Sequence, residues 1–154
     1  MHTNSGMNDE PNNNTQLTMN EQNNIEQNPM NELFGEVLYS YTRAQAIADG
    51  MLVDVSLVAQ EAGFRFPTAI TAALWADIEQ IPSKHSYQDV QGRLWDVLYM
   101  AMGNARRNKD VSRFAYELIL HRERAEGELV TLICDCGPGD NAEPVLTIGY
   151  AEDF

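Results

Sequence analysis

The chain has little positive charge, little cysteine and little histidine, and it contains no long apolar run. Ten Lys and Arg stand against 23 Asp and Glu in 154 residues, giving a formal net charge of −13 and a pI of about 4.4. A field of that sign repels phosphate and argues against direct nucleic-acid binding. It serves solubility, or it meets a basic protein surface. Cysteine is limited to Cys134 and Cys136. On a strand such neighbours point the same way with Cα atoms about 6.5–7 Å apart, the upper limit for a disulfide. Reduced thiols in a cytoplasmic protein are the simpler expectation. No run of about 18 apolar residues is present to span a membrane. The N-terminus lacks the basic and apolar regions of a secretory signal. The sequence therefore implies a soluble protein with no membrane partner.

Reactive groups are equally sparse. Only His85 and His121 lie inside the folded part, and no GxSxG motif supplies a nucleophile elbow. His85 falls in a polar linker and is expected to be solvated. His121 lies near a strand end, facing water or a Glu. Cys134, Cys136 and His121 are the nearest approach to a metal set, but a CxC pair without a fourth ligand falls short of a structural zinc site. The segment GPGDNAEP (137–144) has glycines, yet no Lys follows and no helix opens after it, so it reads as a hairpin loop and not a phosphate cradle. No catalytic residue, metal ligand or cofactor is assigned. The candidate pocket or partner contacts are few. Tyr41 and Arg43 beside Asp49 and Asp54 could line a small pocket, although local hydrogen bonding explains both carboxylates. Trp75 and Trp95 are expected in the core by size, and either becomes a contact if exposed. Asp140, in the hairpin loop, completes the set.

Residues 1–32 are rich in Asn, carry five acids and no Lys or Arg, and hold none of the Trp, Tyr or Phe. Such a segment cannot bury enough apolar area to offset about 1–2 kcal/mol of ordering entropy per residue, and reads as a disordered tail. A single α+β domain is expected over 33–154. FGEVLYSY reads as a short strand or turn. Thr42 and Gln45 stand at capping-box spacing for a helix over 43–49, which Gly50 ends. Leu52, Val53 and Val55 form a brief strand, and Ser56 caps a second short helix closed by Gly63. Pro67 suits the first position of a helix whose apolar face is Ile70, Leu74, Ile78 and Ile81, with Pro82 as its stop. A longer helix over 90–107 buries Leu94, Leu98, Met102 and Ala105, widened by Trp95 and Ala101. Beyond it, alternation in RFAYELILHR and β-branched runs in ELVTLICDC and PVLTIGY predict an antiparallel meander. The architecture implied is N-terminal helices packed on a C-terminal antiparallel sheet of three to four strands.

The stretch from FGEVLYSYTRAQAIADGMLVDVS through GRLWDVLYMA to GPGDNAEPVLTIGY resembles a small bacterial family of unknown function found on plasmids, integrated elements and phages. The resemblance covers about 34–150; the Asn-rich tail and the Cys-Asp before the Gly-Pro-Gly turn fall outside it. It implies a mobile-element accessory protein and transfers no catalytic residue. The leading expectation is a non-enzymatic acidic module that binds a host protein, conceivably a defence component. A small enzyme using clustered carboxylates or the Cys/His set, and a self-associating plasmid-maintenance component, are the alternatives.

Overall fold

A computed structural model describes residues 41–123 and 125–154. The chain divides into two units, Met1–Tyr41 and Thr42–Phe154, and every described element belongs to the second. The expectations for the tail and, apart from Tyr41, for FGEVLYSY lie outside the described residues.

The first helix, α1 (Arg43–Ala48), starts as its sequence dictates. The Thr42 hydroxyl accepts from the Gln45 N–H at 3.0 Å, while the Gln45 side chain accepts from the Thr42 N–H at 3.0 Å. Gly50 follows at φ +77 and turns the chain into β1 (Leu52–Asp54). Helix α2 (Ser56–Ala62) ends at Gly63, left-handed at φ +109. Its start differs from expectation, because Val55 occupies the cap position and Ser56 is already helical. The Ser56 hydroxyl instead accepts from the Thr68 N–H at 3.0 Å, tying α2 to the next strand.

That strand is the main correction to the sequence reading. Pro67 opens no helix. Thr68–Thr71 form β2, buried at every position, and α3 (Ala72–Glu79) begins only after Thr71, whose hydroxyl caps it by accepting from Leu74 N–H. The 4-residue step from Ile70 to Leu74 therefore joins a strand to a helix. Three β-branched residues in four suit a pleated ladder, and burial against strands on both sides overrides the helical period.

A 3₁₀ turn (Ser83–His85) leads to α4 (Val90–Arg107), the longest helix, capped by the Asp89 carboxylate on Gly92 N–H at 2.6 Å. Strands β3 (Arg113–Arg122), β4 (Ala125–Pro138) and β5 (Pro144–Tyr150) then form the expected antiparallel meander. The sheet is larger than the three to four strands anticipated, and it is mixed. Its order is β1-β2-β5-β4-β3, with β2 and β5 parallel. The molecule is α+β.

Register places Val53, Ile70, Ile148, Cys134 and Phe114 in one row across all five strands. That inner face packs on Leu74 and Ile78 of α3 and on Leu94, Val97, Leu98 and Ala101 of α4. Ile70, Leu74, Ile78, Leu98, Leu132 and Ile148 are fully buried. The opposite face carries Thr71 and Thr147, and Gly149 on this face is required. A Cβ there would lie 2.3 Å from Thr71 Cγ2, in the space where Thr71 donates to Asp153 at 2.7 Å. Among the described residues no helix is long and apolar enough to cross a membrane.

Candidate functional site

The solvent side of α4 departs most from what a surface helix should show. Positions 91–92, 95–96 and 99–100 face outward in pairs, as the 3.6-residue period requires. Such a face is normally polar. Here it carries Trp95, Tyr99 and Met100, which are 36%, 63% and 40% exposed. Trp95 and Tyr99 stand one turn apart, and Tyr87, on the loop before the helix, is 77% exposed. Tyr87, Trp95, Asp89 and Asp96 line a wide groove of about 590 Å³ at the N-terminal half of α4. Sequence reasoning placed Trp95 in the core stripe. The stripe runs instead through Leu94, Val97, Leu98 and Ala101 and leaves Trp95 at the rim.

The groove's floor is Arg93, a buried cation that the sequence reading passed over. It is 4% exposed and faces the core side of α4. Its guanidinium donates to Ile78 O at 3.0 Å, Asp77 O at 2.8 Å, His121 O at 3.0 Å and Gln88 Oε1 at 2.7 Å. It thus closes the C-terminal end of α3 and fastens α3, α4 and β3 together. Burial lowers its pKa, partly opposed by Asp77. The sequence signal was present: an arginine one residue before Leu94 and four before Val97 sits where an apolar residue belongs.

The other candidates are dispersed. Arg43, Asp54 and Asp140 meet over the outer face of the sheet. The Arg43 side chain donates to Thr147 Oγ1 at 2.8 Å and Leu146 O at 2.6 Å. Asp140, from the hairpin loop, accepts from the backbone of Arg43 at 2.7 Å and of Ala44 at 3.0 Å, so it caps α1 from 97 residues away. Burial lowers the Arg43 pKa, with Asp54 and Asp140 opposing it. Asp54 accepts from Ser56 N–H at 2.9 Å. Asp49 is the exposed residue that caps the C-terminal end of α1, Tyr41 is exposed, and Trp75 is half-buried against the core. The contacts of Arg43 and Asp140 tie α1 to β5 and to the hairpin loop.

The Cys/His set does not assemble. Cys134 pairs with Phe114, seven residues before His121 on β3 and therefore about 23 Å from it along the strand. Both thiols are free. Burial pushes Cys134 up to about 12, with Cys136 and Asp135 adding to the effect. His85 is half-buried, not solvated, and its ring stacks on His121 with centroids 4.1 Å apart. A third cluster had no sequence signal. Tyr150 hydroxyl makes a short hydrogen bond to Asp77 and accepts from Arg122 at 2.7 Å. Burial first, and then Asp77, raise the Tyr150 pKa well above the ordinary phenol value. Among the described residues no three or more His, Cys, Asp or Glu are placed to hold a metal ion.

An α+β domain with an aromatic helix face over a buried arginine tie is the class that fold and site define. The model of a family of unknown function, DUF6573, matches residues 30–154, and the chain belongs to that family. No curated protein and no solved structure matches it.

Proposed function

We propose that the protein is a non-enzymatic binding module that docks a partner protein on the exposed face of α4. The observation that carries this reading is the placing of Trp95 and Tyr99 one turn apart in solvent, beside Met100 and Tyr87. Trp and Tyr dominate the energetics of interfaces because they bury large rigid area at low entropic cost. The groove supplies concavity and Asp89 and Asp96 supply negative rim charge. The net charge of −13 extends that sign over the molecule. The partner is therefore a protein presenting an apolar ridge edged by Lys or Arg. The resemblance to mobile-element proteins would make it a host protein, with a defence component as one case.

The test is site-specific photo-crosslinking in the native host, with the reactive amino acid at Tyr99 and, as a control, at Leu57 on α2, which is 80% exposed. A single basic protein captured from Tyr99 and not from Leu57 supports the reading. Equal capture from both positions overturns it.

Self-association has one observation in its favour. Among the described strands β3 lies at the sheet edge, and Ile119 pairs with Leu129 beside it, 60% and 59% exposed. Against it, Arg113, Glu117 and Arg122 lie along that edge, and charges of this kind block strand addition. Mass measurement by light scattering decides between the two.

A further inference from the structure

We infer that the cavity between the C-terminal end of α4 and the β4–β5 end of the sheet binds a small aliphatic carboxylate. The cavity holds about 270 Å³, the volume of roughly nine liquid waters. Its walls are apolar and come from Phe64, Phe66, Met102, Phe114 and Leu146, with the sulfurs of Cys134 and Cys136 behind them. Phe64, Cys134 and Leu146 are buried and form its floor, while Phe66, 42% exposed, stands at the rim.

The charged residues that line the mouth are opposite in sign to the net charge of the molecule. Arg65 and Lys109 line it, and no carboxylate does. The three other cavities described each include Asp or Glu. Among the described residues neither Arg65 nor Lys109 has a hydrogen bond or ion pair, whereas Arg43, Arg93, Arg113 and Arg122 all do. Arg106 and Arg107, in the last turn of α4, add to the same end. Among the described residues of a chain of net charge −13, unpaired cations thus gather at the end that holds one apolar slot. Charges farther than a Debye length, about 8 Å at physiological salt, are screened, so the rim decides which ion is accepted. The matching ligand has a short hydrocarbon tail for the slot and one anionic head for Arg65 and Lys109. We commit to a free aliphatic acid, because the buried apolar floor takes a tail and the lining cations take one anionic head.

Titration calorimetry of the full chain with octanoate tests this. The expected result is saturable 1:1 binding, weakened about tenfold by Arg65→Gln with Lys109→Gln, both exposed changes that leave the fold intact. Butanoate, with four fewer methylenes in the slot, should bind about a hundredfold more weakly. Octylamine, of equal length and opposite charge, should not bind. Saturating octanoate should also slow alkylation of Cys136, the half-exposed thiol in the wall. Absence of saturable binding, equal affinity for octylamine, or an unchanged affinity in the double variant would overturn the inference. So would a hexapeptide with a C-terminal leucine carboxylate that binds as tightly as octanoate, since the site would then read protein chain ends. None of these outcomes bears on the face of α4, which lies apart from this cavity and shares no lining residue with it.

Discussion

Replacing Arg93 should unfold the protein more readily than any surface change, and the structure gives the size of the effect. Its guanidinium is the donor for three main-chain carbonyls, those of Asp77, Ile78 and His121, in a site only 4% exposed. In Arg93→Met the aliphatic part of the side chain is retained, so little cavity forms, but those carbonyls lose their charged donor. A buried group left without its partner costs about 1–3 kcal/mol. The hydrogen-bond partners of Arg93 are all neutral, so no buried charge is left unpaired; the loss is that of the carbonyls, part of which is returned because the guanidinium itself need no longer be desolvated. We expect a net loss of about 4 kcal/mol. With a urea slope near 2 kcal/mol/M for a domain of this size, the midpoint should fall by about 2 M. Arg93→Lys keeps the charge but presents a point donor in place of a planar fork, and should recover less than half of the loss. Equilibrium unfolding followed by far-UV circular dichroism and tryptophan fluorescence would measure both. An Arg93→Met midpoint within about 0.5 M of wild type would refute the assignment of Arg93 as the tie between α3, α4 and β3.

Further outcomes follow from the same contacts. Gly149→Ala should cost about 1–3 kcal/mol, because its Cβ would meet Thr71 Cγ2 at 2.3 Å and neither strand can move aside; thermal melting measures this. Asp140→Ala should cost about 1 kcal/mol by uncapping α1, read out as faster amide exchange at Arg43 and Ala44. In the folded protein, iodoacetamide should modify Cys136 well before Cys134, which is 1% exposed and whose thiol is pushed up to about 12; peptide mass spectrometry gives the order. For Cys134 the folded pKa lies above the ordinary 9.0, so the folded state keeps a proton that the unfolded chain releases. Stability should be unaffected by this group below pH 9 and should decline between about pH 9 and 12, a slope that Cys134→Ala reduces.

Local signals in the sequence were those that local physics decides. Thr42 and Gln45 made a capping box because the motif is complete within four residues, and Gly50 and Gly63 took left-handed conformations where helices had to end. Alternation in Phe114, Tyr116, Leu118 and Leu120 showed the inner face of β3 because a strand buried on one side has a period of two. Strand β2 was hidden because Thr68–Thr71 is too short to show a period, and its apolar residue stands in helical step with Leu74. What makes it a strand is pairing with β1 and, in parallel, with β5 some 75 residues later, which no local window contains. The α4 face was half legible: the helix ends were evident, but whether Trp95 lay inside or outside depended on where α2 and β3 pack. The Asp77–Tyr150–Arg122 cluster and the capping of α1 by Asp140 had no sequence signal. Both are contacts between distant segments made by residue types common on any surface.

If the face of α4 is a docking surface, the affinity of the crosslinked partner for two variants will show it. Tyr99→Ala should fold with a thermal midpoint close to wild type, as expected for a side chain 63% exposed, whereas Trp95→Ala, whose side chain is only 36% exposed, should lose some stability and is compared at a temperature where circular dichroism shows it folded. If the aromatic pair anchors the partner, each should weaken binding by about thirtyfold, the effect of a hot-spot residue worth about 2 kcal/mol. Unchanged affinity in both variants, with the fold intact, would show that the partner lands elsewhere and contradict the proposal.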